Sequence, residues 1–488
     1  MPLSGIATIY TLRCFHIFMR RTSTPHSSLL TPNSSFLTGE QSFHPQSVDE
    51  PPQGLTLNPF PFLFSHNEVN KMKIRKASPA DERAVRSLWS YCFEPATDPF
   101  FIWYFQRLVH MEEVLVGEES GSIACDLHLR PYEISVRGHS YQTDYIVGVA
   151  THPAARGRGL AKELLRGSFH AAQREGRAFQ ILMPSAASFY LPLGFGFYCH
   201  QWARSAAPEK LALLGKRAAR AKSISSADEW QELASVYDAY TGNRNGYALR
   251  DEASWRRHIE AALLEGYGAL VYDEAGPCGY LFYTISDRKL AVSEMVFSSE
   301  AGRRGLYTFL AGHQGSVREC LWYEPLDDTS YRTWPDGAEH CYIENRTFPF
   351  MLGRIVDPVA AFDGLSCDRR LSGELAFQLT DAFLPENSGI YVLRAEDGRI
   401  RALKEDVFYS LKCHIEDISG LPLGEHIPEP SFTLSASALA EWFFGAADLS
   451  ELLALDLIRW LDGADRDQIQ RLGDAMLPKQ KNWINEWY

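Results

Sequence analysis

The sequence predicts a mixed α/β (α+β) fold built from tandem domains, on three observations. Short β-branched apolar runs alternate with amphipathic runs at helical spacing along most of the 488 residues. In VGVATHPAARGRGLAK, residues 147–162, a strand passes through a glycine-rich turn directly into a helix. A weaker copy, EMVFSSEAGRRGLYTFL, returns at residues 294–310, with Gly305 falling on Gly159, Leu306 on Leu160 and Leu310 on Leu164. A chain of this length divides into roughly two to four domains.

Residues 1–71 are rich in Pro, Ser, Thr, Phe and His, and carry no acid before Glu40. Three readings stand: a disordered extension, a transit peptide carried by Arg13, Arg20 and Arg21, or a start mis-assigned upstream of Met72. The third is favoured, because MKIRKASPADE opens abruptly with a strand at Ile74, a turn at Ser78-Pro79 and a helix. That helix runs through Ala84, Val85, Leu88, Trp89 and Cys92. An aromatic segment at 100–105 follows, then strands at 114–116, 123–129 and 132–136 and one through Val149. The helix after the glycine turn ends near 174–176. AFQILMPS then reads as a strand, and SFYLPLGFGFY places Tyr190 just before Gly194-Phe195-Gly196.

Residues 205–230 are basic and alanine-rich and read as a linker, ending in a capped helix start at Ser226 and Glu229. The copy then occupies residues 206–365. From 366 onward a hairpin turns at Asp397-Gly398, FTLSASALAEWFFG passes from strand to a helix capped by Ser435, and the amphipathic run 449–461 reads as a second helix.

A strand, a glycine turn and a helix N-terminus can aim several unpaired N–H groups at one point with the helix dipole behind them, which suits a pyrophosphate. Gly157 and Gly159 permit the turn and keep Cβ atoms away from the ligand, while Arg156 and Arg158 can add full charge. Gly-Arg-Gly alone is a common loop, but here Val147 and Val149 precede it and the apolar face of Leu160, Ala161, Leu164 and Leu165 follows. No Gly-Lys-Ser/Thr follows and no G-x-G-x-x-G is present, so it is neither a P-loop nor a dinucleotide fingerprint. In the copy Gly302 replaces Arg156 and bulky Tyr307 replaces Ala161. That copy is expected to keep the fold and to have lost the ligand.

A net charge of −13 argues against a nucleic-acid partner and favours cationic substrates. Nine scattered cysteines without a C-x-x-C pair suggest a reducing, cytoplasmic location, with neither a disulfide framework nor a metal site. No apolar run approaches the ~20 residues of a membrane span.

Arg156, Gly159 and Ala161 match R/Q-x-x-G-x-G/A, and the string resembles motif A of the GCN5-related N-acetyltransferases (GNAT). The resemblance implies acetyl-coenzyme A as co-substrate and a central strand that splays from its neighbour. Val149, Ala150 and Thr151 would then hold the acetyl-pantetheine arm through their backbone. Arg156, Gly157, Arg158, Gly159, Leu160, Ala161 and Lys162 would cover the phosphates, and Ser185 and Ala186, on the strand before Tyr190, would add contacts. Tyr190 takes the place of the family's tyrosine near the departing sulfur.

The third segment resembles a sterol-carrier-protein-2-like module. Three parts in this order, residues 72–205, a degenerate 206–365 and 366–488, resemble the Eis (enhanced intracellular survival) acetyltransferases, with RDEASW at 250–255 and RIVDPVAAF at 354–362 in support. That likeness implies amine acceptors (aminoglycosides, polyamines or lysine side chains), Tyr190 as general acid and the α-carboxylate of Tyr488 as general base. It also implies a homohexamer. A terminal carboxylate with an ordinary pKa of ~3.5 is a weak base in water, so it must be desolvated or act through a bound water. The aromatic ending NWINEWY suits an anchored terminus. Acceptor choice is expected to rest on the loops of residues 92–105 and on acids such as Asp98 and Glu486. The alternative is a non-catalytic or lipid-binding interaction protein that keeps the motif as a relic.

Overall fold

The computed structural model describes residues 72–215, 220–334, 343–405 and 428–487. The expectations for residues 1–71 and for Tyr488 lie outside them. The first unit opens with β1 (Lys73–Lys76), α1 (Glu82–Cys92) and α2 (Pro99–Arg107). α1 buries Val85, Leu88, Trp89 and Cys92 on one stripe, and α2 starts where Asp98 accepts the Phe100 N–H ahead of Pro99. Strands β2 (Val114–Glu119), β3 (Ser122–Val136) and β4 (His139–Thr151) form an antiparallel meander, and β4 feeds α3 (Leu160–Arg174). Then come β5 (Phe179–Leu182), parallel to β4, α4 (Ala187–Tyr190) and β6 (Gly196–Ala206).

β3 is one strand where the sequence reading divided it at Pro131. At Pro131 the strand has left β2, whose last pair is with His128, and has not yet met its next partner at Ile134, an edge stretch that tolerates a proline.

The expected linker is largely structured. β6 runs to Ala206, α5 (Pro208–Leu214) follows, and β7 (Arg220–Ile224) joins the sheet. The start at Ser226 is a capping box with Glu229. The second unit continues with α6 (Trp230–Thr241), β8 (Tyr247–Ala248), α7 (Glu252–Glu265), β9 (Tyr267–Asp273), β10 (Gly276–Ser286), β11 (Lys289–Phe297), α8 (Glu300–Ala311), β12 (Glu319–Pro325) and β13 (Glu344–Ile355).

These strands form one 13-stranded sheet in the order β1-β2-β3-β4-β5-β13-β6-β12-β11-β10-β9-β7, with β8 on β3. The two units exchange strands at the middle of it. β13, late in the second unit, lies against β5, while β6 from the first lies against β12.

After α9 (Pro358–Phe362), a separate five-stranded sheet holds β14 (Gly373–Thr380), β15 (Gly389–Glu396), β16 (Arg399–Lys404), β17 (Phe432–Ser435) and β18 (Ile458–Trp460). Its helices are α10 (Ala436–Phe444), α11 (Leu449–Ala454) and α12 (Arg466–Met476). Asp397 and Gly398, both at positive φ, make the β15–β16 turn, and Ser435 caps α10 through the Ala438 N–H. The run 449–461 is not a single helix: α11 stops at Ala454, Asp456 takes φ +57°, and β18 follows.

α10 lies on β6 and β13 so closely that a Cβ at Gly353 would meet the Phe444 ring at 2.2 Å. Arg137, at the β3–β4 turn, donates to the carbonyls of Trp442, Phe443 and Pro478 and so fastens the end of α10 to the first unit. Among the described residues no helix is long and apolar enough to cross a membrane.

Candidate active site

β4 pairs with β3 along most of its length but with β5 only at Asp144↔Gln180 and Tyr145↔Ile181. β5 ends at Leu182, and among the described residues the β5 side of β4 from Ile146 to Thr151 has no strand partner. The splay is helped by a bulge. His128 faces Val147 but Asp126 faces Ala150, so β4 carries one residue more there, with Gly148 at φ +60°. A Cβ at Gly148 would strike the Trp89 ring at 2.2 Å. Val149, Ala150 and Thr151 lie just beyond this bulge.

After Thr151 the chain makes a short turn at Pro153–Ala155 and then passes Gly157 at φ +76° and Gly159 at φ +82° before α3 begins at Leu160. Nothing lies within 4 Å of a Cβ built on either glycine, so the turn faces open space. The Lys162 and Glu163 N–H groups both turn back to the Gly159 carbonyl (3.0 and 3.2 Å). Among the described residues the amides of Gly157, Arg158, Gly159, Leu160 and Ala161 have no acceptor, which leaves five consecutive donors at a helix N-terminus.

The two arginines are engaged differently from the sequence reading. Arg156 donates through Nε to the Thr151 carbonyl (3.1 Å) and approaches Cys92 Sγ at 3.7 Å, tying the loop to the end of β4 and to α1. Arg158 pairs with Glu119 at 2.8 Å on the surface. Lys162 is exposed.

Tyr190 ends α4 with its ring packed on Phe189 and Phe195 and with no partner for its hydroxyl among the described residues. Burial pushes its pKa up, so the phenol stays protonated at neutral pH. Ser185, exposed, and Ala186, at the N-cap of α4, lie in the loop after β5 rather than on the strand.

Behind β4 the β3 side chains form a buried polar layer that the sequence reading missed. Asp126 is fully enclosed opposite Ala150, and burial pushes its carboxyl well above the usual carboxylate range. His128, pushed down to about 3 by burial, shares a hydrogen bond with the Tyr104 hydroxyl (3.0 Å) and touches Trp89.

A cavity of about 850 Å³ opens between the two units. Its walls come from α2 (Phe100, Trp103), β3 (Arg130, Tyr132, Glu133), α6 (Tyr237, Asp238), α7 (Ser254, Arg257) with its N-cap Asp251, and the C-terminal tail (Glu486, Trp487). The tail reaches it from the third unit. The Trp483 N–H donates to the Asn245 carbonyl, the Ile484 carbonyl accepts from Gln201, and the Glu486 carbonyl accepts from the hydroxyl of Tyr145 on β4 (2.9 Å). Of the two acids expected to influence the acceptor, Asp98 caps α2, and Glu486 lines the cavity while held by Arg250 (2.7 Å) and by the Tyr132 hydroxyl (3.0 Å).

The repeat in the second unit is built otherwise. α8 begins at Glu300, capped by Ser299, so that residues 302–305 lie inside a helix and offer no turn. A Cβ at Gly302 would lie 1.9 Å from the Cys278 carbonyl oxygen, so α8 is pressed onto β10. The Tyr307 hydroxyl donates to Glu324 (3.1 Å), itself paired with buried Arg204. Among the described residues no group of His, Cys, Asp and Glu could hold a metal ion.

The splayed strand, the glycine turn and the repeated topology define a chain with two tandem GNAT acetyltransferase domains followed by a sterol-carrier-like α/β domain. A family model for a GNAT acetyltransferase domain matches residues 73–198, a second GNAT model matches 246–355, and a sterol carrier protein model matches 358–485. Similar solved structures include a GCN5-related N-acetyltransferase from Anabaena variabilis at 16% identity and TM-score 0.70, covering 86% of this chain and 100% of that one. Another, from Kribbella flavida, has 19% identity and TM-score 0.67 over 86% and 98% of the two chains. Eis1 from Mycobacterium abscessus has 15% identity and TM-score 0.61 over 85% and 100%. At these identities the likeness is one of fold. No curated protein sequence matches the chain.

Proposed function

We propose that the chain transfers acetyl groups from acetyl-CoA to a primary amine in the manner of the Eis enzymes, with the first GNAT domain as the catalytic one. The observation that carries this reading is the row of five unpartnered amides beside the splayed strand. The donors and the open space above Gly157 and Gly159 fit a diphosphate. Residues Gly157 to Ala161 would hold it, with Lys162 at the rim. Arg156 acts by bracing the loop from behind, and Ser185 and Ala186 flank the gap left by β5. Acetyl-CoA supplies an acetyl thioester, already activated for acyl transfer.

The free backbone edge around Val149, Ala150 and Thr151 would line that acyl group and polarise its carbonyl through fixed N–H dipoles. An amine with a lysine-like pKa of ~10.4 arrives protonated and must lose a proton before it attacks. The α-carboxylate of Tyr488 would take that proton, because the tail delivers residue 486 to Tyr145 on β4. The Tyr190 hydroxyl would hold a proton for the departing thiolate.

The cavity between the domains would admit the acceptor. Glu133 and Asp238 line it without an ion-pair partner among the described residues, while Asp251 and Arg257 attract each other, so the wall favours a cationic amine.

Coenzyme A release measured against aminoglycosides, polyamines and lysine peptides tests the activity. Tyr190→Phe, and separately a short extension after Tyr488, should each lower kcat while acetyl-CoA binding is kept. Turnover equal to wild type in both variants would remove the acid and base assignments.

A further inference from the structure

We propose that Arg250 is a positioning residue that seats the C-terminal tail for the transfer step, on a strand of the second GNAT domain that in an active copy would face the acyl donor. The proposal rests on the reading of the Tyr488 carboxylate as the base.

With Gly305 set on Gly159, Glu294 of β11 falls on Gly148 of β4. β11 bulges in the same region, since Phe282 faces Glu294 while Tyr283 faces Val292. Where the first domain has a glycine that opens the strand, the second has a buried carboxylate. Arg250 grips it with two bonds, Nη1 to Oε1 at 3.0 Å and Nη2 to Oε2 at 2.8 Å. The Tyr280 hydroxyl adds a third bond at 2.6 Å.

The same guanidinium donates to Glu486 through Nε (3.0 Å) and Nη2 (2.7 Å), so one arginine bridges a fixed strand and a side chain two positions before the terminus. Asn485 repeats the link with bonds to the Ser293 carbonyl (2.7 Å) and to Glu294 (3.2 Å). From the first domain, Tyr132 and Tyr145 take the other side of Glu486. The guanidinium lies over the rings of Tyr237 and Trp255, which hold its plane.

Upstream, the tail is held independently at Trp483 and Ile484. Downstream, the Trp487 ring packs on Tyr323, Phe348 and Phe350, so loss of Arg250 should loosen Glu486 and raise the opening rate of the last residues while the rest of the tail stays in place. Lysine keeps the charge but not the planar fork and cannot bridge both carboxylates.

The test uses the full chain with wild type, Arg250→Lys, Glu294→Gln and Glu486→Gln. Carboxypeptidase A release of Tyr488 and Trp487 reads the seat directly. Steady-state kinetics with spermidine, kanamycin and a lysine peptide read its consequence. The expected result is faster release in all three variants, with kcat down by about 100-fold and KM for acetyl-CoA unchanged. Glu486→Gln, which needs no buried charge rearranged on β11, serves if the other two fail to fold. Wild-type release rates in the variants, or wild-type kcat with a released tail, would overturn the proposal. If wild type acetylates no amine, the proposed function fails, and the release assay still decides whether Arg250 seats the tail.

Discussion

Gly159 holds φ +82° at the first turn of α3, a conformation that costs an L-residue roughly 1–2 kcal/mol, and any side chain would stand among the unpartnered amides. Gly159→Val should therefore weaken acetyl-CoA binding far more than it lowers the melting temperature, a split that calorimetric titration and thermal denaturation measure together. Gly148→Ala should do both. Its Cβ meets the Trp89 ring at 2.2 Å, and overpacking of this kind costs about 1–3 kcal/mol. The glycines at 157 and 159 were legible because their signal is local, and Gly148 could have been read as an isolated glycine inside an apolar strand. Arg250 could not. Its partners lie 44 and 236 positions away, and only the fold brings them together. The bond from Arg156 to the Thr151 carbonyl joins near neighbours in sequence, but only the turn at 153–155 brings them face to face.

At the scale of elements, α10 carries a pH-sensitive contact. Glu441 faces β6 and accepts the Phe197 N–H, and burial lifts its pKa from 4.5 to about 7. Between those values the folded chain binds more protons than the unfolded one, so stability falls as pH rises from about 4.5 and levels off above about 7, by up to about 3 kcal/mol. Glu441→Gln should flatten this fall, making the protein more stable than wild type at pH about 8 and equal to it at pH about 4, as urea titrations at the two values would show. A larger gain at the acid end would contradict the assignment. Third-domain rings of Phe377, Tyr391, Phe432 and Trp442 pack on one another. Elements with strong periodicity or capping, such as α1, α3 and the start at Ser226, were legible. The run 449–461 was not, since its apolar spacing suits a helix while Asp456 reverses the chain and sends Ile458 into a sheet edge.

Across the whole molecule, the exchange of β6 and β13 makes the two GNAT domains one sheet rather than two neighbours. A fragment of residues 72–205 would expose β5 without its β13 partner, and it should be insoluble or unfolded by circular dichroism while a chain begun at Met72 folds. A soluble, cooperatively unfolding fragment would contradict this. The repeat was visible from sequence through Gly305 and Leu306. The exchange was not, because strand order is set by pairings such as Leu352 with Leu182, which no local pattern encodes. On this reading one phosphate turn of the two remains, on the first domain. Isothermal titration of the full chain with acetyl-CoA tests it most directly. One molecule bound per chain, and none after Gly159→Val, is the predicted result; no binding, or two molecules per chain, would contradict the account.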